Sequence, residues 1–339
     1  MVSGVTVNEP SEYAKPKPIP FSPLPDSKIA TRGFRIDRTG RHHLIRVATW
    51  NVLNRRVDFI DRFEQSCRFL YREDVDVCMI QEVPFEMHRA ACDVAFRSGF
   101  TLTVSSDLPD SDDESVAGIL IRRDSDITPH SAEAYGTRKH EASDKTGSNL
   151  MYHSLAVDVS IGSVRIPATF VSRHGAWGAT EQAERLEEAK RIEQWLNERN
   201  GKYSNGFTSE PIVIMGGDFN AERNEPSPSY LLDGQNGGGA FWVDVQDMRI
   251  DVDSSYDSNT TFIHGCANDT ASAHGIDVEY MPSRRIDYLM TRGWRYGRSG
   301  GFTDTVINPT DDWEKLTGER EGIILVSDHK PIIADILLD

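Results

Sequence analysis

The most informative stretch of the sequence is IVIMGGDFN, residues 212–220. It begins with an apolar run of the length and β-branched composition that is typical of a buried strand. Two glycines and then the polar residues Asp218 and Asn220 follow this run. Because side chains two positions apart on an extended segment point to the same side, Asp218 and Asn220 are expected to face one place. The stretch therefore predicts a buried strand with functional groups at its end.

The same pattern, an apolar run that ends in a polar side chain, recurs along the chain. The polar residues in these positions are Asn51, Glu82, His174, Asp287 and the pair Asp328-His329. In α/β proteins, ligands bind where strands end at one edge of a sheet. Each residue alone is better explained as a solvated strand end or a turn. Together, they are expected to converge on one cleft.

Strands and helices alternate along most of the sequence, which indicates the α/β class. Strands are predicted at 44–49, 75–80, 116–121, 154–161, 164–171, 212–215, 286–290 and 332–338. Helical spacing predicts helices over 59–70, from Pro84 to Gly99 and from Thr180 onward. The adjacent strands around Gly162 predict a hairpin, so the sheets are expected to be mixed. Polar loops are predicted at 104–115, 128–153 and 246–283, and a proline-rich flexible arm at 1–40.

The composition excludes several classes of protein. The chain has 339 residues and a formal net charge of −16, which argues against broad coating of nucleic acid or anionic membrane. Its apolar runs fall short of the roughly 18 residues of a membrane span, so no membrane partner is expected. The four cysteines do not form a C-x-x-C pair, and a reduced, cytoplasmic location is predicted.

Six blocks in this order resemble the endonuclease/exonuclease/phosphatase superfamily, which has the DNase I-like fold. The blocks are Trp50-Asn51, Gln81-Glu82, His174, Gly217-Asp218-Phe219-Asn220, Arg285-Ile286-Asp287-Tyr288 and Ser327-Asp328-His329. The resemblance implies a four-layer α/β sandwich with two mixed β-sheets. It covers about residues 44–339, so one domain over 41–339 is expected after the arm.

The resemblance also implies the roles of these residues in a metal-dependent phosphodiester hydrolase. Glu82 matches the principal metal-binding residue, and Asn51 and Asp328 match positions near or on the metal. Mg²⁺ is the expected ion, with Mn²⁺ as a substitute. The implied catalytic residues are Asp218 for the water, Asn220 and His174 for the phosphate and leaving group, and His329 with its orienting partner Asp287.

The substrate is less well defined, because the superfamily acts on DNA, RNA, phosphoinositides and sphingomyelin. Residues 284–298 are rich in arginine and contain Trp294 and Tyr296, a combination that grips phosphates and stacks bases. Arg285 and Arg173 are accordingly predicted to bind substrate. Pairing of these arginines with nearby carboxylates is an equally weighted alternative.

A nuclease acting on DNA or RNA is the leading hypothesis. A phosphomonoesterase or lipid phosphodiesterase of the same fold is the first alternative, and a non-catalytic binding module is the second. The absence of a Trp-Cys-Asp-Arg-like block argues against an inositol polyphosphate 5-phosphatase. Phe219 argues against a tyrosyl-DNA phosphodiesterase, which usually has Thr there.

Overall fold

A computed structural model describes most of the chain. The described residues are 43–53, 59–105, 115–137, 152–162, 166–176, 181–203, 212–233, 242–245, 284–292, 327, 329 and 331–338. The proline-rich arm, most of the predicted loop 104–115, the loop 246–283, Thr180, Asp328, Trp294 and Tyr296 lie outside these residues. Among the described residues, no helix has the length and apolar character that a membrane span requires.

The described residues form eleven strands and four α-helices. The strands are β1 (His43–Asn51), β2 (Val77–Pro84), β3 (Phe100–Val104), β4 (Ser115–Arg122), β5 (Ile127–Thr137), β6 (Tyr152–Ile161), β7 (Ile166–His174), β8 (Ile212–Asp218), β9 (Val243–Asp244), β10 (Asp287–Arg292) and β11 (Ile332–Leu338). The helices are α1 (Phe59–Arg72), α2 (His88–Arg97), α3 (Gln182–Tyr203) and α4 (Pro226–Leu232), and a short 3₁₀ turn covers Phe85–Met87.

The strands form two mixed sheets, as the sequence predicts. The first sheet has five strands in the order β11-β1-β2-β4-β3, and only β1 and β2 run parallel within it. The second has six strands in the order β5-β6-β7-β8-β10-β9, with β7 and β8 parallel. The predicted hairpin joins β6 to β7, and Gly162 supplies the positive φ of its turn.

Three apolar cores separate four layers. Alternate side chains of the first sheet pack against α1 and α2, through residues such as Trp50 and Phe63. The opposite face packs on the second sheet, through residues such as Met79 and Phe170. The outer face of the second sheet packs against α3 and α4, where Phe219 lies. The order helix, sheet, sheet, helix confirms the predicted four-layer α/β sandwich.

The two sheets approach closely beside the end of β8, and Gly216 makes this approach feasible. A Cβ atom on Gly216 would lie 2.5 Å from Cε of Met79 and 2.7 Å from Cβ of Thr49, both on the first sheet. Ser172 adds a polar link, because its hydroxyl donates to the carbonyl of Ile80 at 2.8 Å. The ends of β1, β2, β7 and β8 are therefore brought to one edge of the sandwich.

Part of the secondary structure differs from the sequence-based expectation. Strand β5 covers the first ten residues of the predicted loop 128–153, so the loop prediction is wrong there. Strand β3 was not predicted. Among the described strands, β5 pairs only with β6 and so lies at the edge of its sheet, and its register shifts between Pro129 and Ser131. Pro84 ends β2 instead of beginning a helix, and α2 starts after the 3₁₀ turn.

Candidate active site

The register of the second sheet places three of the predicted site residues side by side. His174 on β7 pairs with Asp218 on β8, and Asp218 pairs with Asp287 on β10. The parallel pairing of β1 with β2 brings Asn51 next to Gln81 on the first sheet, with Glu82 following. Backbone pairing thus fixes the relative positions of these residues within each sheet.

Asn51 connects the two sheets at this edge. Its Nδ2 donates to Oε1 of Glu82 at 2.8 Å and to Oδ2 of Asp218 at 3.0 Å. Its Oδ1 accepts a hydrogen bond from the backbone N–H of Leu53 at 3.0 Å. The reversed amide would direct an oxygen at two carboxylates, so this orientation is the favourable one. Asn51 therefore holds two carboxylates in place, and its predicted position near or on the metal stays a prediction.

Glu82 is presented by an irregularity in β2. The pairing of β2 with β4 shifts between Ile80 and Val83, and Glu82 has a φ of +64° in the left-handed region. Such a bulge redirects a side chain, and it carries a conformational cost for a residue other than glycine. The half-buried carboxylate of Glu82 consequently faces the site instead of alternating away from it.

Asp218 lies at the centre of the site and is buried. Burial and the nearby charge of Asp287 raise the pKa of Asp218 to about 6, although His329, His174 and the hydrogen bond from Asn220 oppose the rise. Its Oδ1 accepts the backbone N–H of Asn220 at 2.7 Å. A carboxyl group with this pKa is mostly ionised at neutral pH and is still able to accept a proton.

His329 and Asp287 form a buried pair beside Asp218. Nδ1 of His329 donates to Oδ2 of Asp287 at 2.8 Å, and Nε2 lies 3.7 Å from Oδ2 of Asp218. The backbone of His329 is fixed as well, since its carbonyl accepts from Nε1 of Trp50 and its N–H donates to Oγ of Ser327. A carboxylate on one imidazole nitrogen sets the tautomer and directs the other nitrogen toward the site.

His174 faces the same centre from the other side. Its Nε2 lies 3.6 Å from Oε1 of Glu82 and 3.9 Å from Oδ2 of Asp218. Asn220 is adjacent to this region. It has a φ of +49°, and its Nδ2 donates to the carbonyl of Gly175 at 2.9 Å, one residue after His174. The amide of Asn220 thus spans β7 and the end of β8.

Among the residues that the structure describes, two overlapping groups of side chains are able to hold a metal ion. Glu82, His174 and Asp218 form one group, and Asp218, Asp287 and His329 form the other, each with ligand atoms within 4.8 Å of one another. Mg²⁺ takes oxygen ligands, often one or two carboxylates completed by water and phosphate. Glu82 fits this chemistry best, because its carboxylate is the most exposed of the three.

The burial of Arg173 does not fit its predicted role in substrate binding. Its side chain is fully buried, and Nη2 donates to Oε2 of Glu188 and to Oγ of Ser227, both at 3.1 Å. Arg285, the other predicted substrate-binding residue, pairs with Asp244. Arg292 of the same basic segment pairs with Glu193 at 2.6 Å. All three arginines therefore pair with carboxylates, as the alternative describes, and a role of Arg285 in substrate binding stays a prediction.

Glu188 is a residue of this region that sequence reasoning missed. Burial raises the pKa of Glu188, and the adjacent Arg173 opposes the rise. A signal was present in the sequence, because Glu188 precedes Ile192 by four residues and therefore lies on the apolar face of α3. A charged residue on such a face requires a buried partner.

Comparison with known proteins agrees with this architecture. D. rerio TDP2 in complex with a single-strand DNA product is 16% identical over 87% of this chain and 99% of its own, with a TM-score of 0.59. A mannosyl-6-phosphatase from Bacteroides thetaiotaomicron is 16% identical over 87% of this chain and 100% of its own, with a TM-score of 0.58. The human Nocturnin catalytic domain with bound sulfate is 16% identical over 87% of this chain and 94% of its own, with a TM-score of 0.52.

Similarity at this level of identity establishes the fold alone. A search of curated proteins found no match. The family model described as Endonuclease/Exonuclease/phosphatase family matches residues 48–329, which include every described residue of the candidate site. The chain therefore belongs to the endonuclease/exonuclease/phosphatase family, whose members hydrolyse phosphate esters.

Proposed function

We propose that the protein is a Mg²⁺-dependent phosphodiesterase that cleaves nucleic acid. The observation that carries the proposal is the arrangement around Asp218, where Glu82 and His174 lie on one side and Asp287 and His329 on the other. Hydrolysis of a phosphodiester requires an activated water, charge neutralisation and help for the leaving oxygen. The described side chains supply a candidate group for each of these requirements.

Glu82 is the residue that we expect to hold the metal, together with Asp328. Mg²⁺ bound there would neutralise negative charge that develops on the phosphate oxygens, and Mn²⁺ would substitute for it. Asn51 donates to Glu82 and so orients its carboxylate. This orientation is in keeping with the role of hydrogen bonds behind metal ligands.

Asp218 is the candidate general base. Its pKa of about 6 lies near the range in which a base is both ionised and able to accept a proton. Its two oxygens are held by Asn51 and by the backbone N–H of Asn220. The carboxylate is thereby fixed in one position, so that it takes a proton from water without first reorienting.

The histidines are the candidate hydrogen-bond donors to the phosphate. His329 is fixed through Asp287, so we expect its Nε2 to donate to a phosphate oxygen. His174 is less tightly held, and we expect it to protonate the leaving oxygen. The amide of Asn220 completes the set of donors near the phosphate. These donors act on charge that develops in the transition state.

A diester substrate suits the charge of this site better than a monoester. Three carboxylates, those of Glu82, Asp218 and Asp287, meet there, and the described arginines nearby, Arg173 and Arg285, are paired with acids. A diester carries one negative charge and a monoester close to two, so electrostatic repulsion by the carboxylates is smaller for the diester. Nucleic acid is the diester that we propose, and TDP2 with its single-strand DNA product has the same fold.

The acidic character of the chain points to a short or single-stranded substrate. Much of the net charge of −16 comes from residues 107–114 and 242–281. A long duplex would bring many phosphates near this negative charge, whereas an end or a single strand brings few.

A cytoplasmic location remains part of the proposal on the basis of the cysteine spacing.

The test is a substrate panel. Purified protein is incubated with labelled single- and double-stranded DNA and RNA, with Mg²⁺, Mn²⁺ or EDTA. Asp218→Asn serves as the inactive variant, and Asp61→Asn, which changes an exposed acid on α1, serves as the matched control. We expect metal-dependent cleavage by the wild type and by Asp61→Asn. Cleavage no greater than that of Asp218→Asn would refute the nuclease proposal.

A small phosphate ester is the second candidate substrate. It is favoured by the pairing of Arg285 and Arg292 with acids, which reduces the positive charge that the basic segment offers to a polyanion. The mannosyl-6-phosphatase of the same fold provides a precedent for such a substrate. Turnover of sugar phosphates, inositol phosphates or sphingomyelin, with no cleavage of nucleic acid, would select this alternative.

A further inference from the structure

Three buried side chains and the half-buried Arg285 form a continuous stack beneath the catalytic strand ends. Cζ of Arg173 lies 4.1 Å from the ring centroid of Phe219. The rings of Phe219 and Tyr288 meet edge to face, with centroids 5.0 Å apart and an interplanar angle of 65°. Cζ of Arg285 lies 4.7 Å from the centroid of Tyr288. We call Arg173, Phe219, Tyr288 and Arg285 the cation–aromatic stack.

Three members of the stack are adjacent in sequence to a residue of the candidate site. Arg173 precedes His174, Phe219 lies between Asp218 and Asn220, and Tyr288 follows Asp287. Because successive side chains of a strand point to opposite faces, the stack and the catalytic groups lie on opposite sides of the same strand ends. A shift of one stack member therefore moves its catalytic neighbour through the backbone.

An acidic residue pairs with the arginine at each end of the stack. Glu188 on α3 pairs with Arg173, and Asp244 on β9 pairs with Arg285. The backbones are joined as well, since the N–H of Phe219 donates to the carbonyl of Ile286 at 2.8 Å. The stack thus spans β7, β8 and β10, the three strands that carry His174, Asp218 and Asp287.

The aromatic faces stabilise the buried charge of Arg173. Within the described part of the chain, Nε and Nη1 of Arg173 have no hydrogen-bond partner, although the side chain is fully buried. Buried guanidinium N–H groups without a hydrogen-bond partner are costly, and the face of an aromatic ring offsets part of this cost. Phe219 is therefore more than a space-filling residue, because its ring faces the guanidinium directly.

We propose that the cation–aromatic stack sets the positions of His174, Asp218 and Asp287, and that Arg173 and Arg285 are positioning residues. The proposal rests on phosphoester hydrolysis at this site, and it is independent of whether the substrate is nucleic acid. Arg173 is buried too deeply to contact substrate, so its effect must pass through neighbouring groups. Removing an aromatic ring should misplace the catalytic groups, and an error near 1 Å in such a site costs roughly a hundredfold in rate.

Tyr288 offers a matched pair of variants. Tyr288→Leu removes the ring, whereas Tyr288→Phe keeps the ring and loses the hydroxyl, whose hydrogen bond to the carbonyl of Arg285 is long at 3.4 Å. The assay measures kcat and KM with Mg²⁺ and bis(p-nitrophenyl) phosphate, at a temperature where thermal melts show each variant to be folded. For Tyr288→Leu, we expect kcat to fall by about ten- to a hundredfold with KM within about twofold. Tyr288→Phe should restore kcat to within about threefold of the wild type.

Ile192→Val controls for a simple loss of packing. Ile192 belongs to the same apolar core as Phe219 and Tyr288 but is not a member of the stack, so the kcat of Ile192→Val should stay at the wild-type value. If Tyr288→Leu does not fold, Arg173→Lys replaces it, because lysine keeps the charge for Glu188 and loses the planar face. A kcat within about twofold of the control in the folded ring-deleted or lysine variant would overturn the proposal.

Failure of the proposed nuclease function gives a different result. If the wild type cleaves no nucleic acid but hydrolyses another phosphate ester, the same variants are measured with that ester. The stack is then tested on the reaction that the protein performs. If the wild type cleaves nucleic acid and the ring-deleted variants keep an unchanged kcat, the positioning role of the stack is refuted. The proposed nuclease function then stands.

Discussion

The candidate site has two halves that share Asp218 and differ in how firmly they are held. In the half formed by Glu82 and His174, the side chains are 22% and 17% exposed, and their closest atoms are 3.6 Å apart. In the half formed by Asp287 and His329, they are 1% and 6% exposed and joined by a hydrogen bond of 2.8 Å. We call them the open half and the closed half.

The difference indicates separate tasks. The closed half is assembled by the protein alone, and Trp50 and Ser327 hold the backbone of His329 from behind. The open half contains Glu82 on a bulge with a positive φ, which presents a carboxylate to solvent. Preorganised groups act on the transition state without reorganisation, whereas a half-buried carboxylate that solvent reaches is accessible to an ion from solution. We therefore propose that the closed half positions the phosphate and that the open half binds the metal.

The largest effect is expected at Asp218, where the halves meet. Asp218→Asn removes the proton acceptor but keeps the shape of the side chain, so kcat should fall by about 10²- to 10⁴-fold. The measurement is kcat at saturating Mg²⁺, with Asp61→Asn as control. A loss below tenfold would show that another group accepts the proton.

His329→Ala breaks the closed half. Removing one donor to the developing oxyanion typically costs 10²- to 10³-fold in kcat, so a loss of roughly that size is expected. Substrate binding should remain measurable, because the open half is unchanged. Steady-state kinetics separate kcat from KM. A rise in KM at constant kcat would indicate that His329 binds ground-state substrate instead.

The burial of Asp218 should also make the stability of the metal-free protein depend on pH. Its pKa is about 6 in the folded state and 3.8 for the unperturbed group, so folding favours the protonated carboxyl. The stability of the wild type relative to Asp218→Asn should therefore be greatest at low pH and decrease as the pH rises from about 4 to 6. The expected change is at most about 3 kcal/mol. Denaturant melts in EDTA at a series of pH values measure it, and a difference that does not vary with pH would contradict the raised pKa.

Gly216→Ala tests whether the close approach of the sheets holds the halves together. The new Cβ would lie 2.7 Å from Cβ of Thr49, which cannot turn aside, so we expect the first sheet, which carries Glu82, to move away from the second, which carries Asp287. Overpacking of this kind costs about 1–3 kcal/mol. Thermal or denaturant melts measure the loss. An unchanged stability would show that Met79 and Thr49 adjust without separating the sheets.

Much of the fold could be predicted because its signals are local. The apolar runs at Val77–Pro84 and Ile212–Asp218 and the helical spacing in Phe59–Arg72 are visible in the sequence. Strand β5 was missed because Ile127–Thr137 is an edge strand with a bulge at Pro129, so its alternation is weak. The order of strands within each sheet depends on long-range pairing that local patterns do not encode.

The convergence of the site was predictable, but the partners of its residues were not. Strand ends that carry Asp218 and His174 were expected to meet, and they do. Whether Arg173 faces substrate or a buried acid depends on α3, where Glu188 is folded inward. The hydrogen bonds of Asn51 likewise depend on the close approach of two sheets. Such contacts follow from tertiary packing, so a single strand does not reveal them.

One titration tests the separation of the two halves most directly. Turnover of the cleaved phosphodiester is measured against Mg²⁺ concentration for the wild type, Glu82→Ala and His329→Ala, with metal-free melts as a check on folding. We predict that Glu82→Ala raises the half-saturating Mg²⁺ concentration by about tenfold or more, and that His329→Ala lowers the plateau while leaving that concentration unchanged. A shift in half-saturation for His329→Ala equal to that for Glu82→Ala would contradict the assignment of metal binding to the open half.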